Sequence, residues 1–198
     1  MKTIKIFVLV LFILTAKVNA QKTNATFITE TSWAGITKST NIDGLKNIFG
    51  EANIKDERIC GAECVDSVDV TKIYPDTKKE IIIYWADSLY HKKIGMIVCN
   101  NEQSVCQTKN GIKIGSTLAQ LLKLNGKKIS FGGFGWDYGG GITSFNNGHL
   151  AKSNITYLLD ITGDAPNALL GERQLNTDMA LVKKYLSKIK VVQITLAF

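Results

Sequence analysis

The chain has 198 residues, 45% of them hydrophobic, with 24 Lys and Arg against 17 Asp and Glu. That length and composition exclude a disordered polypeptide and suffice for a buried core. The net charge of +7 comes from scattered lysines with no long basic run, so nucleic acid is not an expected partner.

In chain order, residues 1–20 come first. Lys2 and Lys5 precede the apolar run Ile6-Phe7-Val8-Leu9-Val10-Leu11-Phe12-Ile13-Leu14, and Val18-Asn19-Ala20 closes the segment. A charged start, an apolar centre and small residues at the end read as a secretory signal peptide cut before Gln21. The run is far shorter than the ~20 residues of a transmembrane helix, and no cysteine follows the cut to carry a lipid. Residues 21–198 are therefore expected to be a secreted or periplasmic protein with no membrane span. Losing Lys2, Lys5 and Lys17, with no acid in that segment, takes the net charge from +7 to +4.

The next elements are a helix and four strands. Ser39-Thr40 are suitable N-cap residues, Ile42, Leu45, Ile48 and Phe49 form an apolar face, and Gly50 is expected to end the helix in the left-handed conformation. Strands are predicted over 53–59, 66–74, 80–86 and 92–99, with "EIIIYWA" β-branched and aromatic enough for a central strand. The second half reads alike. Ser116-Thr117 precede Leu118, Leu121, Leu122 and Leu124, Gly126 follows, and strands are predicted over 127–134, 140–145, 154–161 and 189–197.

The two halves also match residue by residue. "GITKSTNIDGLKNIFG" (35–50) aligns with "GIKIGSTLAQLLKLNG" (111–126) at an offset of 76, and "KKIGMIV" (92–98) with "IKVVQIT" (189–195) at an offset of 97. The expectation is a tandem duplication of an α+β unit, repeats 21–106 and 107–198, each a short helix on a four-stranded antiparallel sheet. All strands should form one continuous sheet. The second repeat carries an insertion near 162–184, where Thr177-Asp178 would cap a helix with Met179, Leu181, Val182, Tyr185 and Leu186 on its apolar face.

Four cysteines in an exported chain read as two disulfides, here the local pairs Cys60–Cys64 and Cys99–Cys106. His91 and His149 lie outside any zinc-ligand spacing with them, so no metal is expected, and no cofactor motif occurs.

The pattern Gly-Ile-x-x-Gly-Ser/Thr-x-x-x-Leu-x-x-x-x-Gly ahead of an antiparallel sheet resembles the helix entry of SmpA/OmlA-type and beta-lactamase-inhibitory-protein-like domains. "GIKIGSTLAQLLKLNGKKISFGGFGWDYGG" (111–140) is similar to uncharacterised secreted proteins of Bacteroidota. These resemblances imply fold and export, and no catalytic residues. Asp66-Ser67-Val68 and Asp87-Ser88-Leu89 also resemble the Asp-Ser/Thr-apolar sites glycosylated in Bacteroidota.

"FGGFGWDYGGG" (131–141) is the segment richest in chemistry. As a hairpin rim it would place Phe134, Trp136 and Tyr138 on one face at period two, with Asp137 opposite. That face is either core packing or an aromatic surface for a protein, peptide or glycan. Asp137 is expected to be structural, accepting hydrogen bonds from the N–H groups of the glycine turn or from a lysine. Its possible carboxylate partners downstream are Asp160, Asp164 and Glu172. No G-x-S-x-G, no phosphate-binding glycine motif and no triad order occur. The sequence therefore points to a non-catalytic secreted binding or inhibitor-like module using the sheet surface and the 131–141 loop, with Phe134, Trp136, Asp137 and Tyr138 as binding residues. The alternative is a small periplasmic hydrolase of carbohydrate or peptide with Asp137 as acid or base.

Overall fold

The computed structural model describes residues 27–61, 64–87 and 89–198. The expected signal peptide and Ser88 of the second glycosylation-like site lie outside them, while Ser67 of the first opens a strand and is exposed.

Helix formation follows local chemistry in both halves. α1 spans Ile42–Phe49 and buries Leu45 and Phe49. Its N-cap is Asn41, one residue later than Ser39-Thr40, because the Asn41 side chain accepts from Gly44 N at 2.9 Å while Thr40 Oγ1 accepts from Thr37 N. α2 spans Leu118–Asn125 and has a full capping box between Thr117 and Gln120. Gly126 ends α2 in the left-handed conformation with φ 71°, as expected. Gly50 differs: φ is 82° but ψ is 138°, a region open essentially to glycine and outside the left-handed helical basin.

The first four predicted strands form as β4 (Ile54–Cys60), β5 (Ser67–Ile73), β6 (Ile81–Trp85) and β7 (Ile94–Cys99). β11 (Ile155–Ile161) and β13 (Ile189–Ala197) complete a six-stranded antiparallel sheet in the order β11-β13-β7-β6-β5-β4. The remaining predicted strands are shorter than expected: β9 (Ser130–Gly132) and β10 (Ile142–Ser144) belong to a separate three-stranded antiparallel sheet with β12 (Gln174–Asn176). One continuous sheet is therefore not what forms. Among the described residues only a Gly141–Leu158 bridge and the Leu159 N–H donated to Gly140 O join the two sheets. At this join the Gly140 backbone approaches the Leu159 carbonyl more closely than a residue with a Cβ could.

Four two-residue strands escaped the sequence reading: β1 (Phe27–Ile28), β2 (Ser32–Trp33), β3 (Ile36–Thr37) and β8 (Gln107–Thr108). They form a third sheet in which β1 and β8 run parallel. The insertion holds β12 and α3 (Ala180–Tyr185). Thr177-Asp178 do not cap α3. Thr177 is buried and its Oγ1 accepts from Ile129 N at 3.1 Å, and Met179 stands at the N-cap with no side-chain bond.

All three helices pack on one face of the six-stranded sheet. Leu45 and Phe49, Leu118 and Leu121, and Val182 join Ile73, Ile83, Ile97, Leu159, Ile194 and Leu196 in one core. Within it Trp85 Nε1 donates to Thr71 Oγ1 at 2.8 Å and Thr71 Oγ1 donates to Asp56 at 2.6 Å, whereas the buried Trp33 Nε1 has no hydrogen-bond partner among the described residues. A second, smaller cluster of Val70, Ile82 and Val98, flanked by Ile59, Val68, Tyr84 and Met96, occupies the opposite face and contains strand residues alone.

Cys60 and Cys64 form the expected local disulfide. The second expected bond is absent: Cys99 and Cys106 are free and buried. Ser104 Oγ accepts from both the Cys99 thiol, at 2.8 Å, and Cys106 N, at 3.0 Å, so one hydroxyl ties the two thiol-bearing residues of the loop together. The neighbouring Cys106 thiol holds the Cys99 thiol below its ordinary range, and the neighbouring Cys99 together with burial pushes Cys106 up.

Candidate functional site

The 131–141 segment is not a continuous strand, and that decides where its side chains go. β9 ends at Gly132, and residues 135–140 form a turn with Gly135 and Gly140 at φ 77° and 72°. Period-two alternation therefore stops before Trp136. Phe134 N donates to Leu169 O and Gly171 N to Phe134 O, which hold Phe134 in the core against Phe131; it is 2% exposed. Phe134 is thus a packing residue and leaves the expected binding face.

Trp136 and Tyr138 remain outside. Trp136 is half-buried with its Nε1 donating to Gly133 O at 2.9 Å, so the indole is fixed while part of its surface stays open. Tyr138 is 63% exposed and meets Trp136 at 5.5 Å between ring centroids and 67° between planes. The two rings make an open corner. Asp137 is exposed and accepts no hydrogen bond among the described residues, contrary to its expected structural role. The turn is held by backbone bonds instead: Gly139 N to Trp136 O at 2.8 Å, and Gly140 N to Gly132 O and Gly133 O.

The corner stands over a groove of about 560 Å³, within the size range of small-ligand sites. Its far wall is Glu172, Arg173 and Gln174, brought there by the pairing of β12 with β9; its floor is Gly132, Ile142 and Leu158. Leu158 lies between the core residues Tyr157 and Leu159 along β11, so it faces the side of the sheet that no helix covers. A second groove of about 300 Å³ lies on the other side of the Trp136-Asp137 segment and includes Asp160 and Val192. Of the expected carboxylate partners of Asp137, Glu172 lines the first groove and Asp160 the second; Asp164 lines neither.

Two of the wall residues are already immobilised. Arg173 donates one guanidinium N–H to Ala168 O at 3.0 Å, and Gln174 Nε2 donates to Thr143 Oγ1 at 2.6 Å. Neither was singled out from sequence. Both sit in the insertion, and only the long-range β12–β9 pairing brings them to the loop. Among the described residues no cluster of three or more His, Cys, Asp or Glu has the placement of a metal site, and none of their helices is long and apolar enough to cross a membrane.

These features define an α+β protein of small antiparallel sheets and short helices with an aromatic-rimmed groove beside an uncovered sheet face. Its fold is similar to the crystal structure of the uncharacterized protein yfeY from Escherichia coli, with a TM-score of 0.51 and 13% identity over 87% of this chain and 100% of that one. At that identity the likeness is one of fold alone. No protein-family model and no curated protein matches the chain.

Proposed function

We propose that this chain is an exported, non-catalytic binding or inhibitor-like module that takes a protein, peptide or glycan in the groove under Trp136 and Tyr138 and on the sheet face beside it. The observation that carries the reading is the corner itself. An exposed Tyr138 set against a half-buried Trp136 that is held by Gly133 offers aromatic contact area at reduced ordering cost. On the same side of the sheet the partly exposed Ile59, Val68, Tyr84 and Met96 cover the buried Val70, Ile82 and Val98.

One observation favours the hydrolase alternative: Glu172 shares the groove with Asp137. Both carboxylates are exposed, however, and no neighbouring donor orients Asp137. Catalytic acids and bases need such positioning and a site that excludes water.

The test screens peptide and oligosaccharide pools against the wild type and Trp136→Ala by ligand-observed NMR and assays the same pools for cleavage. Binding lost in Trp136→Ala, with the ligand recovered intact, is the expected outcome. Cleavage that Asp137→Asn abolishes without lowering Tm would establish the hydrolase instead.

Export is inferred from residues 1–20 and is supported by the Cys60–Cys64 disulfide, a bond that oxidising compartments sustain. A tandem duplication, with its likeness to SmpA/OmlA-type and beta-lactamase-inhibitory-protein-like units and to secreted Bacteroidota proteins, is inferred on the same terms. Two features support it. α1 and α2 have equal length and start at Ile42 and Leu118, 76 positions apart. Val98 pairs with Thr195, its counterpart 97 positions on, as a local two-fold axis between repeats requires.

A further inference from the structure

We propose that the ligand of the groove is a neutral carbohydrate chain, an inference that rests on the groove being a binding site and adds the class of its occupant. The argument is one of complementarity. A sugar ring has a face of C–H groups and a rim of hydroxyls, each both donor and acceptor. The site presents matching groups: the aromatic corner of Trp136 and Tyr138 for the ring face, the carboxylates of Asp137 and Glu172 as acceptors, and Arg173 as a donor.

The charges weigh against a ligand of one sign and against a wholly apolar one. A cationic ligand drawn to Asp137 and Glu172 would bring its charge against Arg173, and an anionic ligand drawn to Arg173 would meet two carboxylates. A wholly apolar ligand would strip water from three charged groups and return no hydrogen bond to any of them. A neutral polyol bonds to all three without a like-charge contact. The groups are also prepared for it. Trp136 is tied to Gly133, Arg173 to Ala168 and Gln174 to Thr143 before any ligand arrives, so little order remains to be imposed. A second groove, with Asp160, shares Trp136, Asp137 and Leu158 with the first, which suits a chain of sugars over a single ring.

The experiment titrates the purified protein with neutral tetrasaccharides of β-1,4-glucose, β-1,4-N-acetylglucosamine, α-1,4-glucose and β-1,3-glucose, and with tetralysine and tetraglutamate. Calorimetry and tryptophan fluorescence read binding, and released reducing ends read cleavage. At least one saccharide is expected to bind, intact and with little dependence on salt. Trp136→Ala should weaken it at least tenfold with an unchanged circular-dichroism melt, and Glu172→Gln and Tyr138→Ala should weaken it less. Trp136-dependent binding of tetralysine or tetraglutamate, with no saccharide bound, would overturn the carbohydrate assignment and leave the binding groove standing. If no probe responded to Trp136→Ala, both readings would fall. Cleavage of a bound saccharide would keep the ligand class and overturn the non-catalytic reading.

Discussion

Gly140 shows how much of the site rests on one residue. It has φ 72°, and a Cβ there would collide with the Leu159 carbonyl, while Gly163 has φ 83° with nothing near its Cβ position. Alanine at either position bears the left-handed penalty of about 1–2 kcal/mol, and only at Gly140 does the clash add to it. Gly140→Ala is therefore expected to lower stability by at least about 2 kcal/mol and by more than Gly163→Ala, in urea unfolding followed by circular dichroism. Equal effects would mean that the close approach of the loop to β11 is not what shapes the groove. Legibility also differed between residues. Trp136, Asp137 and Tyr138 announced themselves as polar-aromatic residues among glycines. Phe134 misled, because alternation was assumed through a segment whose glycines turn the chain at 135. Arg173 and Gln174 were invisible, since nothing near them in sequence indicates the loop they face.

The helices were the most legible elements, because their signals are local: apolar spacing, a capping side chain and a terminal glycine. Cap positions give the sharpest check. Thr117→Ala removes the half of the capping box in which Gln120 N–H donates to Thr117 Oγ1, leaves the Thr117 N–H bond to Gln120 Oε1, and is expected to cost about 1 kcal/mol, up to about 2. In α1 the effect should follow Asn41→Ala, which loses the bond to Gly44, and not Thr40→Ala, whose hydroxyl serves the preceding turn. Chemical denaturation of the three variants decides it; a Thr40→Ala loss matching that of Asn41→Ala would contradict the cap assigned to α1. The strands divide by length. β4 to β7, β11 and β13 have five to nine residues and carry their own β-branched runs. β1, β2, β3, β8 and β12 are two or three residues long, too short for any period; β8 and β12 rest on partners distant in sequence, β1 and β9, while β2 and β3 pair within a few residues of chain.

For the whole molecule, the single core that joins both halves makes buried titration a report on global stability. Tyr157 is buried in that core, and burial pushes its phenol up from 10.0 to about 12. The folded protein thus holds this proton more tightly than the unfolded chain. The associated stability is fully present below pH 10 and is lost as pH rises from about 10 to about 12, with an upper size of about 2.7 kcal/mol at 1.36 kcal/mol per pKa unit. Tm is expected to fall across that window, and Tyr157→Phe should flatten the fall even if it lowers Tm near neutral pH. A fall of equal steepness in Tyr157→Phe would assign the alkaline loss to other groups that titrate there, the lysines and Tyr84, whose phenol is also raised by burial. The same molecule shows where sequence reading stops. The sequence by itself determined the helices, their glycine stops, the long strands and the local Cys60–Cys64 bond, because each depends on residues within a few positions of one another. Only the tertiary structure decided that the sheet is interrupted at Gly140, that Cys99 and Cys106 stay thiols, and that Glu172, Arg173 and Gln174 face Trp136. Those outcomes turn on distances across the fold, from Gly140 to Leu159 and from β9 to β12, which no local pattern of side chains encodes.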